Sequence, residues 1–363
     1  MKIALLMGNR FNPWHLKAYH QLRGGPEVVA FRAESEIQRR FEQCDDGTLS
    51  FPVERIYFDY EHGPLARRLV RGFQTRYRNR GPRIAPFSER LRGFDLIQSS
   101  ELFTDWTAQA VEAKERDGTP LALMVWDNIP FNQERNSERR AMKQRAARTA
   151  DRFIVHTERS RRTLDFEGVP KDRIVIVDPG VDTELFKPGP PDRARFGLAE
   201  DEFVLLFVGW LLPRKGIDFV LLALRELVRD PSSRARKYRL LVVGDGPGKD
   251  RVESLIDRVG LCAHVTFTGP MPYNEMAAAF RSADLFVLPS IATPEWQEQF
   301  GMALIEAMAC GTPVITTYSG AIPEIAGDAA VLCQPNDFVS LYEAIKSLAG
   351  DAARRKELGQ AGR

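Results

Sequence analysis

The residues best placed to do chemistry fall in one stretch, Pro294–Ile315, which reads PEWQEQFGMALIEAMACGTPVI. It carries two carboxylates, Glu298 and Glu306. On one continuous helix, eight steps of 100° would leave them about 80° apart, so they would not point together. Gly301 resolves this: Glu298 belongs to a loop, and a helix starts near Gly301-Met302. The helix runs through Ala/Leu/Met-rich sequence to a stop signal at Gly311-Thr312-Pro313. The loop carboxylate and a first-turn Glu306 can then face one ligand at the helix N-terminus. There the free N–H groups of Gly301, Met302 and Ala303, with the positive dipole end, make an anion site. A ligand with a diphosphate between two hydroxyl-bearing rings would use all of it, amides on phosphate and one carboxylate per ring.

Such a constellation needs rigid elements behind it. Strand candidates in the first half are Ile3–Met7, Val28–Phe31, Arg55–Phe58, Leu96–Gln98, Leu121–Val125, Phe153–Val155 and Ile174–Val177. In the second half they are Val204–Val208, Leu240–Val243, Val265–Phe267, Leu285–Leu288, Val314–Thr316 and Val331–Cys333. Most are Val/Ile/Leu-rich without strict alternation, as parallel strands covered on both faces should be. Helical patterns lie between them; in Ile217–Arg229 the residues Ile217, Val220, Leu221, Leu224 and Val228 form one apolar stripe. Strand–helix alternation repeated twice predicts an α/β protein of two Rossmann-like, doubly wound domains. Asp178-Pro179-Gly180 and the Lys187–Pro191 stretch put a linker near 178–200, dividing residues 1–185 from 186–363. Two such domains are expected to face each other across a cleft, with ligands at the strand C-termini.

Composition removes other classes. Among 363 residues, 51 Lys+Arg nearly cancel 49 Asp+Glu, which excludes a disordered polyelectrolyte and a histone-like nucleic-acid binder. No run approaches the ~18 apolar residues of a membrane span, and Ile3–Met7 is too short for a signal-peptide core. Cys44, Cys262, Cys310 and Cys333 lie far apart with no zinc spacing, and read as reduced packing residues of a cytoplasmic protein.

The Pro294–Ile315 segment resembles the nucleotide-sugar signature of retaining glycosyltransferases of family 4, which adopt the two-domain GT-B fold. That resemblance implies that Glu298 holds hydroxyls of the donor sugar and Glu306 the ribose hydroxyls. Phe207-Val208-Gly209 with Pro213-Arg214-Lys215-Gly216 resembles the family's strand–loop–helix whose basic residues grip the donor diphosphate; Lys215 and Arg214 lie six and five residues past Gly209. Val243–Pro247, Val265–Gly269 and Ala283–Ser290 follow in the family's order, and Pro179–Asp182 with Phe186 and Pro188 resembles its hinge. The implied donor site is Gly209, Arg214, Lys215, Glu298, Gly301, Met302, Ala303 and Glu306, with Glu298, Lys215 and Arg214 catalytic. A nucleotide-diphosphate sugar is the implied co-substrate, and no metal or further cofactor is expected. Retention implies same-face attack, the departing phosphate taking the acceptor proton.

The sequence departs from that pattern in several places. Trp210 stands where many members have Arg directly after the strand-end glycine. The region of the family's N-domain histidine reads Val125-Trp126-Asp127-Asn128-Ile129-Pro130. The first loop, from Gly8 to Pro13, has one glycine rather than a pair, and the family's helix returning to the N-domain is missing before Arg363. Acceptor-side candidates are Asn9, Arg10, His15, Asp127 and Asn128. Segment 64–92 holds nine Arg against one acid, Glu89. It reads either as a solvated basic face or as a dock for an anionic, lipid-linked or phosphorylated acceptor, which would allow peripheral contact with the inner membrane face. His156 reads as a packed polar residue, and Trp296 either as a stacking face for sugar or as a cover for the helix start. Two rivals to transfer stay open: a sugar-nucleotide epimerase on the same fold, and a catalytically weak nucleotide-sugar-binding subunit.

Overall fold

The computed structural model describes residues 1–8, 16, 18–19, 22, 24–34, 49, 51–58, 84–233 and 236–363. The chain parts into two compact units, Met1–Asp178 and Pro179–Arg363. The break precedes the hinge-like segment, which goes with the second unit because Phe186 is fully buried there against Phe280 and Tyr273.

The first unit is built on β1 (Lys2–Gly8), β2 (Glu27–Glu34), β3 (Val53–Tyr57), β4 (Leu96–Ser100), β5 (Leu121–Val125), β6 (Arg152–Val155) and β7 (Ile174–Ile176). They form one parallel sheet in the order β3-β2-β1-β4-β5-β6-β7. Helices Asp105–Asp117, Ser137–Thr149 and Glu158–Phe166 follow β4, β5 and β6. The second unit repeats the plan with β8 (Glu202–Val208), β9 (Lys237–Val243), β10 (Val265–Gly269), β11 (Leu285–Leu288), β12 (Val314–Thr317) and β13 (Ala330–Cys333), ordered β10-β9-β8-β11-β12-β13 and parallel. Every expected strand forms. The third sits slightly earlier than its sequence pattern suggested, because Phe58 leaves the sheet for a single antiparallel bridge to Ile84.

The missing alternation in these strands has a direct cause. In β8, Phe203, Leu205 and Phe207 enter one buried cluster, while Val204 and Leu206 enter another on the opposite face. Both faces are covered, so successive residues must all be apolar. In the helix Ile217–Arg229 the expected stripe is buried at Ile217, Val220, Leu221 and Leu224; Ala223 and Leu227 widen it, and Val228 lies only partly buried at its margin. Truncating one such leucine to alanine costs about 2–5 kcal/mol. Among the described residues no helix is long and apolar enough to cross a membrane.

Candidate functional site

In the second unit, β8 is the first strand and has β9 on one side and β11 on the other. The chain direction of winding reverses there, and the loops after β8 and β11 diverge from a common crevice. After β8 come Gly209 and Trp210, then a 3-10 turn Pro213–Lys215 that delivers Arg214 and Lys215. After β11 come Pro289 and Ser290. The two loops are knitted together: the Ile291 N–H donates to Arg214 O at 2.9 Å. Gly216 has φ +74, and a Cβ there would lie 1.9 Å from Pro289 O, so only glycine allows this approach. The Gly244–Gly248 loop braces the same turn from behind. Leu211 N–H donates to Asp245 O, and Gly248 N–H donates to Leu211 O, each at 2.9 Å.

Glu298 lies in a loop as expected, 6 % exposed. Its Oε2 accepts from Lys215 Nζ and from Ser290 Oγ, both at 2.7 Å. Its amide donates to Ser319 Oγ at 3.3 Å, its carbonyl accepts from Ala321 N–H at 2.9 Å, and a Cβ on Gly320 would lie 2.0 Å from that carbonyl. The loop after β12 therefore clamps Glu298 against Lys215. Three loops converge on this one residue, those after β8 and β11 on its carboxylate and that after β12 on its backbone. Ser290 and Ser319 are members of this cluster that sequence reading missed; serine is too common at strand ends to stand out without the fold.

Trp296 makes a contact that neither expected role includes. Its ring lies under the Arg214 guanidinium (4.7 Å) and the Lys215 ammonium (5.1 Å), so the indole backs both cations of the site. Trp210, directly after Gly209, is 44 % exposed.

The helix Met302–Ala309 begins where expected, with Gly301 as its cap at φ +91. Its first intrahelical bond runs from Leu304 N–H to Gly301 O at 2.8 Å, so the amides of Gly301, Met302 and Ala303 precede the helix ladder. Glu306 is the fifth helical residue and falls in the second turn, not the first. It forms a separate cluster from Glu298. It is 5 % exposed, and its Oε1 accepts from Tyr273 Oη at 2.8 Å. Burial pushes its carboxyl up to about 7, while the Tyr273 hydroxyl pulls the other way. The Tyr273 phenol is itself held well above its usual range, by burial first and then by the neighbouring Glu306.

In the first unit Asn9, Arg10 and His15 lie outside the described residues, as do residues 64–83 of the basic segment. Of its described part, Arg90 pairs with Glu54 and Arg92 with Glu89 at 2.7 Å. Asp127 and Asn128 follow β5 and are buried, and Asp127 Oδ1 accepts from Ile129 N–H (3.3 Å) and Asn132 Nδ2 (3.0 Å). This is a local turn that fixes the backbone after the strand. His156 is buried with its ring 3.9 Å from that of Trp126 and its Nδ1 2.7 Å from Val177 O; desolvation pushes its pKa down. A cavity of about 490 Å³ beside the buried Lys143–Glu167 pair contains none of the expected site residues.

Comparison with known proteins agrees with this architecture. Residues 23–185 match the family described as Glycosyltransferase Family 4, and residues 190–363 match Glycosyl transferases group 1. The chain is thus a glycosyltransferase-family protein with a family 4 N-terminal domain and a group 1 C-terminal domain. It is 34% identical over 220 residues to a D-inositol 3-phosphate glycosyltransferase of Nocardia farcinica, covering 58% of this chain and 47% of that one. It is 38% identical over 187 residues to the protein of the same name from Mycobacterium tuberculosis H37Ra, covering 49% of this chain and 36% of that one. The chain thus spans about half the length, or less, of these curated relatives. Among solved structures, Anabaena HepE in complex with UDP-glucose superposes with a TM-score of 0.76 at 20% identity, covering 100% of this chain and 93% of that one. Sucrose-phosphate synthase from Thermosynechococcus elongatus gives 0.73 at 21%, with the same coverage. The fold is GT-B.

Proposed function

We propose that this chain transfers a sugar, with retention of configuration, from a nucleoside-diphosphate sugar held by its C-terminal unit to an anionic hydroxyl acceptor. The observation that carries the reading is the convergence of Glu298, Lys215 and Ser290 at the crevice between β8 and β11, with Arg214 alongside. In such a transfer the anomeric carbon becomes cationic while the diphosphate leaves with growing negative charge. Fixed cations and helix amides stabilise that charge without reorganising, so Lys215, Arg214 and the Gly301–Ala303 amides form the leaving-group site. Glu298 accepts hydroxyls of the transferring sugar, and Glu306 those of the ribose. The acceptor hydroxyl attacks from the leaving-group face and gives its proton to the departing phosphate. No carboxylate pair is needed as nucleophile and acid.

The names of the relatives suggest inositol 3-phosphate as the first acceptor to try, and the UDP-glucose in the HepE structure makes uridine nucleotides the first donors. The basic 64–92 segment supports an anionic acceptor on the N-terminal side. Trp210, in the place of an arginine, favours the rival of a weakly catalytic binding subunit.

A thermal-shift panel of UDP-, GDP- and ADP-sugars, followed by acceptor-dependent release of the nucleoside diphosphate, tests the reading. A donor at 100 Kd raises stability by about 2.7 kcal/mol. If no nucleotide sugar shifts the melting temperature, the proposal fails; binding without acceptor-dependent release selects the binding subunit.

A further inference from the structure

Tyr273 belongs to none of the motifs that mark the site, yet it makes the one hydrogen bond to Glu306 that a side chain provides among the described residues. It stands on the 3-10 turn Tyr273–Glu275, between β10 and the helix Met276–Ser282. Its ring meets Phe186 edge-on at 5.2 Å, and Phe186 meets Phe280 at 6.1 Å. Phe186 and Phe280 are both fully buried, so the phenol is held in a rigid aromatic wedge and its hydroxyl direction is set by packing.

We propose that Tyr273 is a positioning residue for nucleotide recognition: by donating to Glu306 Oε1 it fixes the carboxylate plane and turns Oε2 toward the ribose cis-diol. This deepens the reading of Glu306 as the ribose partner and rests on it. An ionised carboxylate has about four acceptor sites, and a phenol uses one, which leaves capacity for the two hydroxyls of a diol. A lysine in place of Tyr273 would neutralise the carboxylate and compete with the diol for it; a neutral donor orients without competing.

The arrangement makes nucleotide affinity depend on pH. Only the ionised carboxylate can accept from both diol hydroxyls, and burial has moved its titration to about 7. The groups around it are Tyr273 and, one turn on, Cys310, whose amide donates to Glu306 O at 3.1 Å. Asp182 acts on Tyr273, while Arg281 and Arg363 act on Cys310. Affinity for a ribonucleotide should therefore fall as pH drops below neutrality. Removing the Tyr273 hydroxyl withdraws a bond that favours the ionised form, which shifts that fall to higher pH.

The test is calorimetric titration of UDP and 2′-deoxy-UDP against wild type, Tyr273→Phe and Glu306→Ala from pH 5.5 to 8.5. Tyr273→Phe keeps the ring against Phe186, so its melting temperature should stay within a few degrees. At pH 7 it should bind UDP about three- to tenfold more weakly, the size of one neutral hydrogen bond, with the deficit shrinking toward pH 8.5. For 2′-deoxy-UDP, which keeps only the 3′-hydroxyl of the diol, the deficit of Tyr273→Phe should be clearly smaller. A deficit that is constant across pH, or equal for the deoxy nucleotide, would show Tyr273 to be a packing residue and overturn the proposal while leaving the ribose role intact. Normal UDP binding by Glu306→Ala would instead overturn the ribose reading itself, and the role of Tyr273 with it.

Discussion

Two carboxylates eight residues apart are almost equally buried, yet they sit in opposite electrostatic settings. Glu298, in the loop ahead of the helix, touches an ammonium and a serine hydroxyl. Glu306, within the helix, takes its side-chain hydrogen bond among the described residues from a phenol and rises to about 7. Burial alone therefore does not define a site carboxylate; the partner does. A cation-paired carboxylate beside a leaving group helps to hold that cation in place. A carboxylate with a neutral partner keeps its acceptor capacity for a neutral, hydroxyl-bearing ligand. The loop and the helix thus divide the work expected of one nucleotide sugar, charge chemistry on one side and diol recognition on the other.

Breaking the ion pair should have the largest effect. Lys215→Ala removes a preorganised cation from the leaving-group position, and losing one such donor typically costs on the order of 10²–10³ in turnover. It also takes the cation away from Glu298, which is only 8% exposed at its side chain, while the bond from Ser290 stays. Initial rates measured well below the variant's melting temperature isolate the chemical term. Turnover within threefold of wild type would remove Lys215 from the leaving-group site.

The two carboxylates should then fail in different ways. Glu306→Ala should weaken UDP and UDP-sugar alike, by tenfold or more, since a buried acceptor for two hydroxyls is lost. Glu298→Ala should weaken the nucleotide sugar more than UDP, the smaller UDP loss being that of a Lys215 no longer held by its partner. Calorimetry with both ligands on both variants measures the split. Equal losses of bare UDP would mean that the loop and helix do not divide the ligand as their partners suggest.

Much of this was readable from residue types alone, for identifiable reasons. Parallel strands buried on both faces leave unbroken apolar runs, so β8, β11 and β12 announced themselves. Gly301 announced the helix start, because the left-handed backbone found there at φ +91 is one that glycine adopts without steric cost. Partners brought together by tertiary structure left no such trace. Nothing near Tyr273 in sequence points to Glu306, 33 residues away. Nothing local marks Ser290 and Ser319 as the pair that flanks Glu298. The Trp296 ring was visible as a feature, but its partners, Arg214 and Lys215, come from a loop about 80 residues earlier and required the fold. Glu306 was placed a turn too early although the helix start was read correctly: as the fifth residue from Met302 it lies past the 3.6 residues of the first turn.

The smallest expected effect concerns the ligand-free protein and sharpens the contrast without any substrate. A carboxyl whose folded pKa is raised binds its proton more tightly in the native state than in the unfolded chain. Its stabilising contribution is complete below the unfolded value of 4.5 and is lost as pH rises through about 7. From pH 6 to pH 8 the native state should therefore lose about 1 kcal/mol from Glu306 alone. This runs opposite to nucleotide affinity, which rises over the same interval as the carboxylate ionises. Ligand binding and apo stability thus draw on the two protonation states of one group in opposite senses. Glu306→Gln keeps the shape and an acceptor oxygen but cannot titrate, so its denaturation midpoint should decline less than that of wild type between pH 6 and pH 8. Comparing urea midpoints of the two proteins at both pH values cancels every other titrating group common to them. If the wild-type and Glu306→Gln midpoints change in parallel, Glu306 does not titrate near neutrality, and its contrast with the ion-paired Glu298 must rest on geometry rather than charge.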